Sequence, residues 1–171
     1  MAKKHLKIAA IIQARMTSTR LPGKVMLPLP YGSGIPALEQ MILRVRKCRE
    51  LDSIIIATTK NKSDDKIVRL CGKLNTGCFR GDEKNVLSRY YFAAKEIRAD
   101  IVVRLTSDCP CIDPATIDRT VALHIKRNYD YTSSGKLPIG MSVEVFSFKA
   151  LEEAYSKSTK DYEKEHVTPY I

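Results

Sequence analysis

The chain alternates between short, nearly unbroken apolar runs and longer stretches in which apolar positions recur every three or four residues. Residues 6–14 (LKIAAIIQA) are rich in isoleucine and almost continuous, the pattern of a strand buried on both faces of a parallel sheet. After a polar loop, Pro36 opens a helix over 36–48, with Leu38, Met41, Ile42 and Val45 on one face and proline in the first turn. Residues 52–59 (DSIIIATT) predict a second strand. Residues 63–74 predict a helix capped by Ser63, with Ile67, Leu70, Cys71 and Leu74 facing inward. A short strand at 76–80, a helix at 85–99, a β-branched strand at 100–106 and a helix at 113–128 continue the series; Asp113 supplies the cap of that last helix and Pro114 its first turn.

Strand and helix in alternation imply an α/β fold, a doubly wound and mostly parallel sheet between two helical layers in the Rossmann-like manner. Beyond Asn128 the alternation weakens. Gly135, Pro138 and Gly140 precede a strand at 141–148, so this part reads as an antiparallel edge or a lid, followed by a short helix at 150–156. With no repeat, low-complexity tract or long linker, residues 1–171 read as one domain.

In such a sheet, ligands bind beyond the carboxyl ends of the strands. Polar clusters fall at those ends: QARMTSTR, TTKNKSDD, RGDE and TSDCP. The first is the richest. Residues 13–24 place Arg15, Arg20 and Lys24 beside Thr17, Ser18, Thr19 and Gly23. Guanidinium forks, an ammonium, hydroxyls and closely approaching backbone N–H groups are what a triphosphate requires. The loop has neither the Walker order nor the GxGxxG fingerprint. A solvated basic loop is the competing reading, and its place after the first strand favours function.

Composition adds a direction to this picture. The chain has 29 Lys and Arg against 19 Asp and Glu, a formal charge of +10, which favours anionic partners without choosing among nucleotide, nucleic acid, acidic sugar or membrane surface. No apolar run approaches the roughly 20 residues that span a bilayer, and no cleavage site follows the first apolar run, so a cytoplasmic protein without membrane attachment is expected. Five cysteines without CxxC spacing read as free thiols. Cys109 and Cys111 flank Pro110, and the burial preference of free cysteine suits small buried side chains better than metal ligands.

The segment IIQARMTSTRLPGKVMLPL resembles the opening signature of the cytidylyltransferase family, in the branch concerned with spore coat polysaccharide and related to the enzymes that activate acylneuraminates and 3-deoxy-manno-octulosonate. GDEKNVLSRYYFAA, VVRLTSDCPCIDP and EHVTPYI fit the same branch in order and spacing, so the resemblance spans nearly the whole chain. It implies a fold of the nucleotide-diphospho-sugar transferase type. The implied reaction is transfer of CMP from CTP to a sugar, with pyrophosphate released, for surface polysaccharide or spore coat synthesis.

Carried over by motif, Arg15, Lys24 and Asp108 are the implied catalytic residues, with Asp108 holding Mg²⁺. Gln13, Ala14, Arg15, Ser18, Arg20, Lys24, Thr58, Arg80 and Arg89 would contact the nucleotide. Asp82 and Asn85 are further candidates beside Arg80, while Ala57 and Thr59 flank Thr58 in a base pocket. Ser133, Ser134, Gly140, Glu144 and His166 would meet the sugar. Asp108 alternatively satisfies loop N–H groups, Arg89 alternatively lies as a cation on the helix surface, Glu144 alternatively faces outward, and His166 is alternatively structural. Tyr90, Tyr91 and Phe92 read as core and helix-packing residues instead of a base-stacking platform, since adjacent helical positions do not share a face.

Family members continue past EHVTPYI to a further aspartate that serves the metal, so a domain shortened at its C-terminus is expected, and a homodimer is a further implication. Two readings compete within the fold: a nucleotide-sugar glycosyltransferase, or a transferase using another base. A nucleic-acid-binding module ranks behind both, because the cations scatter without interleaved aromatics.

Overall fold

Strand β1 (Ile8–Gln13) has no exposed face. Ala9 and Ile11 point into one core while Ile8, Ala10 and Ile12 point into the other, which the two-residue period of a strand imposes when helices cover both sides. The structure, a computed structural model, describes residues 5–171. β1 pairs in parallel with β2 (Ser53–Thr59) on one side and with β4 (Ile101–Thr106) on the other, and β2 pairs in parallel with β3 (Gly77–Gly81). β6 (Glu144–Ser147) then adds to β4 in the antiparallel sense, and β5 (Tyr131–Ser133) adds to β6. The order is β3-β2-β1-β4-β6-β5: a doubly wound, mostly parallel sheet with the antiparallel part that the sequence predicts after residue 128.

One layer of helices consists of α1 (Ala37–Val45), α2 (Asp65–Lys73) and α4 (Pro114–Arg127), whose apolar faces enclose Leu38, Met41, Ile67, Leu70 and Ile117. The other consists of α3 (Val86–Glu96), α5 (Phe148–Lys157) and α6 (Asp161–His166), around Leu87, Tyr90, Leu151 and Val167. Tyr90 is wholly buried and its hydroxyl donates to the Leu105 carbonyl at 2.8 Å, so burial pushes its pKa up to about 12. Asp113 caps α4 as the sequence predicts, accepting from the Ala115 and Thr116 N–H groups, with Pro114 in the first turn.

Several local expectations are corrected. Ser63 is not a cap; it lies in a short 3₁₀ turn (Lys62–Asp64), and α2 begins at Asp65 behind the wholly buried Asp64. Pro36 precedes α1 instead of opening it. The last strand is only Glu144–Ser147, because Ser147 caps α5 by accepting from the Ala150 N–H and turns Phe148 into a helical residue. Phe92 is 43% exposed, packing edge-on to Tyr91 and Tyr155 at the surface. Cys111 is exposed and Cys109 only half-buried.

Candidate active site

The chain runs from β1 outward to β2 and β3, then returns to β4 on the opposite side of β1. The loops that follow β1 and β4 therefore diverge, and the crevice between them is the switch point where α/β sheets bind ligands. A cleft of about 780 Å³ lies there. Its walls are the loop after β1, the N-terminal end of α3, the end of β4 and helix α6, and they carry seven cationic side chains against four carboxylates.

The loop is shaped by its backbone. The Met16 C=O accepts the Gly23 N–H at 2.8 Å, closing the loop on itself. Gly23 has φ +71°, a left-handed conformation that costs other residues about 1 kcal/mol, and it turns the chain into a 3₁₀ turn (Lys24–Met26) pinned by buried Val25. Lys24 is thereby directed across the cleft, where its Nζ donates to Asp108 Oδ2 at 2.7 Å. Partial burial raises the Asp108 pKa, but the hydrogen bond and charge of Lys24 outweigh it and hold the carboxyl below the usual aspartate range.

Arg15 faces Glu83 at 3.8 Å. Glu83 also accepts from the Thr17 hydroxyl at 2.5 Å and from Asn61 Nδ2 at 2.8 Å, and those hydrogen bonds keep its carboxyl below the ordinary glutamate range. Both loop cations that the sequence singles out as catalytic are thus matched with a carboxylate from another loop. Arg89 is different. It is 1% exposed, its NH1 donates to the Ala57 carbonyl at 3.2 Å, its Nε has no hydrogen-bond partner, and no carboxylate lies within ion-pair distance among the described residues. Burial lowers its pKa. The surface alternative for Arg89 is therefore corrected: a desolvated guanidinium borders the cleft. The Gln13 Oε1 is likewise buried without a partner at the cleft floor.

Gln13, Ala14, Arg15, Ser18, Arg20, Lys24, Arg89, Asp108 and His166 all line the cleft, as does Asn85. Other candidates lie elsewhere. Thr58 and Thr59 are wholly buried, with both hydroxyls donating to Asp64, so neither side chain reaches the cleft. Arg80 turns outward, bonded to Asp65 at 2.7 Å and to the Thr59 and Asn61 carbonyls. Asp82 closes the turn before α3 by accepting the Lys84 and Asn85 N–H groups. Ser134 Oγ accepts the Val143 N–H, and Gly140 sits near the Cys109 sulfur with φ +85°; neither they nor Ser133 line the cleft. Glu144 does not face outward: Arg104, the Tyr131 hydroxyl and the Thr168 hydroxyl engage it, and its carboxyl stays below the usual range because Arg104 overcomes the effect of burial.

The structure also brings in side chains that the sequence reading passes over. Arg104 reaches the cleft from the middle of β4, where a charge interrupting VVRLT was the available signal. Glu83 and Lys164 also reach it, with no pattern of their own to mark them. Among the described residues, no cluster of three or more Asp, Glu, His or Cys side chains is arranged to hold a metal. Asp108, half-exposed and ionised, is a single carboxylate, a donor set that suits Mg²⁺ held chiefly by substrate phosphates and water.

A family profile described as cytidylyltransferase matches residues 9–171. The chain belongs to the cytidylyltransferase family. It is similar to an uncharacterized protein of Methanocaldococcus jannaschii, at 45% identity over 97% of this chain and 67% of that protein. It is also similar to the spore coat polysaccharide biosynthesis protein SpsF of Bacillus subtilis, at 37% identity over 96% of this chain and 69% of SpsF. Among solved structures, a cytidylyltransferase from Leptospira borgpetersenii superposes with a TM-score of 0.90 at 36% identity, covering 97% of this chain and 71% of that one. The matched region of this cytidylyltransferase takes in every wall of the cleft, from the loop after β1 to α6. None of its helices is long and apolar enough to cross a membrane, among the described residues.

Proposed function

We propose that this cytidylyltransferase transfers CMP from CTP to a hydroxyl of an acidic sugar, with Mg²⁺, in the synthesis of a surface polysaccharide. The observation that carries the reading is the Lys24–Asp108 pair at the mouth of a cationic cleft on the switch point between β1 and β4. The sugar oxygen forms a bond to the α-phosphorus, the bond from that phosphorus to the bridging oxygen breaks, pyrophosphate departs and the hydroxyl proton passes to water. Charge grows on the leaving group, so the protein's task is alignment and neutralisation. Arg15 and Lys24 serve the triphosphate, Arg89 and Gln13 supply unsatisfied donor and acceptor groups at the floor, and the N-terminal end of α3 presents the positive end of its dipole. Asp108 would hold Mg²⁺, which when bound offsets phosphate charge. His166 and Lys164 on α6, with Arg104, border the part of the cleft left for the sugar.

The test is pyrophosphate release from CTP, UTP, GTP and ATP with Mg²⁺ and a panel of acidic and neutral sugars. Release with CTP and an acidic sugar alone is expected. Equal use of UTP, or transfer only to neutral sugars, would sink the corresponding half of the reading. A cytoplasmic homodimer is the accompanying proposal, to be checked by light scattering and fractionation.

A further inference from the structure

Asp64 lies between β2 and α2, has no exposed surface and does not border the cleft. Its Oδ2 accepts from the Thr58 hydroxyl at 3.0 Å, the Thr59 N–H at 3.1 Å and the Thr59 hydroxyl at 2.5 Å. Its Oδ1 accepts from the Met16 N–H at 2.8 Å, across 48 positions of sequence. No cation pairs with it among the described residues, so these donors alone satisfy a buried charge.

Met16 is the residue on which the loop turns. Its N–H is held by Asp64 and its C=O by the Gly23 N–H. The first bond decides where Arg15 leaves β1, and the second decides where Gly23 presents Lys24. The three donors at Oδ2 belong to the end of β2, a strand buried in the sheet, so through Asp64 the sheet fixes the loop that forms one wall of the cleft. We propose that Asp64 is a positioning residue for the reaction: without touching substrate, it holds the phosphate-binding loop in register by its bond to the Met16 amide. The inference rests on the nucleotidyl-transfer reading for its kinetic consequences, though not for the anchoring itself.

The informative variant is Asp64→Asn. The amide keeps its oxygen toward the three donors of Thr58 and Thr59 and turns its NH₂ toward the Met16 N–H, placing donor against donor. Expected are a rise on the order of 10-fold in KM for CTP, the size of one lost charge-assisted hydrogen bond, a lower kcat, and an unchanged KM for the sugar. Hydrogen exchange should quicken over residues 14–24 while residues 8–13 stay protected. A lowered melting temperature with wild-type CTP kinetics and wild-type exchange would overturn the proposal, leaving Asp64 a plain helix-start residue. If the wild-type chain neither binds nor consumes CTP, the transfer reading falls and exchange alone decides the anchoring. Should Asp64→Asn fail to fold, Thr58→Val removes one donor from the same carboxylate and should give the same pattern at roughly 3-fold; unchanged exchange there would equally overturn it.

Discussion

Lys24 Nζ donates to Asp108 Oδ2 at 2.7 Å although 84 positions separate them, so the loop after β1 and the end of β4 are joined across the cleft by opposite charges. The pair is half-exposed, and such pairs contribute at most about 1 kcal/mol to stability. Under the proposed transfer reaction its value lies in the chemistry instead. A triphosphate would take over Lys24, freeing Asp108 for the metal.

Lys24→Met should consequently leave the urea midpoint within error of wild type while lowering kcat with CTP by about 10² to 10³, the range for losing one charge-stabilising donor. Steady-state pyrophosphate release, paired with urea unfolding, separates the two. A variant that transfers normally removes Lys24 from the chemistry.

Asp108→Asn probes the other partner. Its carboxyl is held below the usual range, so it is ionised throughout the neutral region; the pairing contributes above the unfolded pKa and is lost only as pH falls through the folded one. The amide should raise the Mg²⁺ concentration for half-maximal rate by about 10-fold or more, and chelation should abolish turnover of the wild type. An unchanged Mg²⁺ titration would assign the metal to other groups.

Arg89 combines its proposed role at the nucleotide with a stability cost. A guanidinium with 1% exposure, an unpartnered Nε and no carboxylate at ion-pair distance among the described residues is disfavoured by desolvation. Arg89→Met fills the same space without the charge. It should leave the free protein as stable or raise stability by up to about 2 kcal/mol, while weakening CTP binding by roughly 10-fold or more. Calorimetry of the free protein and titration with CTP give the two numbers. A marked fall in melting temperature with intact CTP binding would make Arg89 a structural residue.

The sheet was legible because strands buried on both faces leave unbroken apolar runs, as at residues 8–12, and because Asp113-Pro114 marks a helix start by chemistry local to the chain. The cleft was legible where its lining residues concentrate in one contiguous loop, from Gln13 to Lys24. It was less so where the site depends on distant pairing. Thr58 and Arg80 stand at the correct end of their strands, yet Asp64 and Asp65 capture their side chains, and nothing in the sequence specifies those partners. The sequence sets Glu144 among the sugar contacts, whereas β6 pairs with β4 in the register that puts it opposite Arg104, leaving the arginine to border the cleft.

His124 carries the last expectation. It is 2% exposed on α4, with Nδ1 3.0 Å from the Thr132 hydroxyl of β5. Burial lowers its pKa, with the charge of Asp130 acting weakly in the opposite sense. Because the folded pKa lies below the unfolded one, the unfolded chain binds the proton more readily. Stability is therefore full above the unfolded value, near 6.5, and falls as pH drops through the folded value. Urea midpoints should decline between about pH 7 and pH 5. His124→Gln retains a polar partner for Thr132 but cannot titrate, so it should flatten that decline. If the wild-type decline persists unchanged in His124→Gln, the pH dependence belongs to the carboxylates instead.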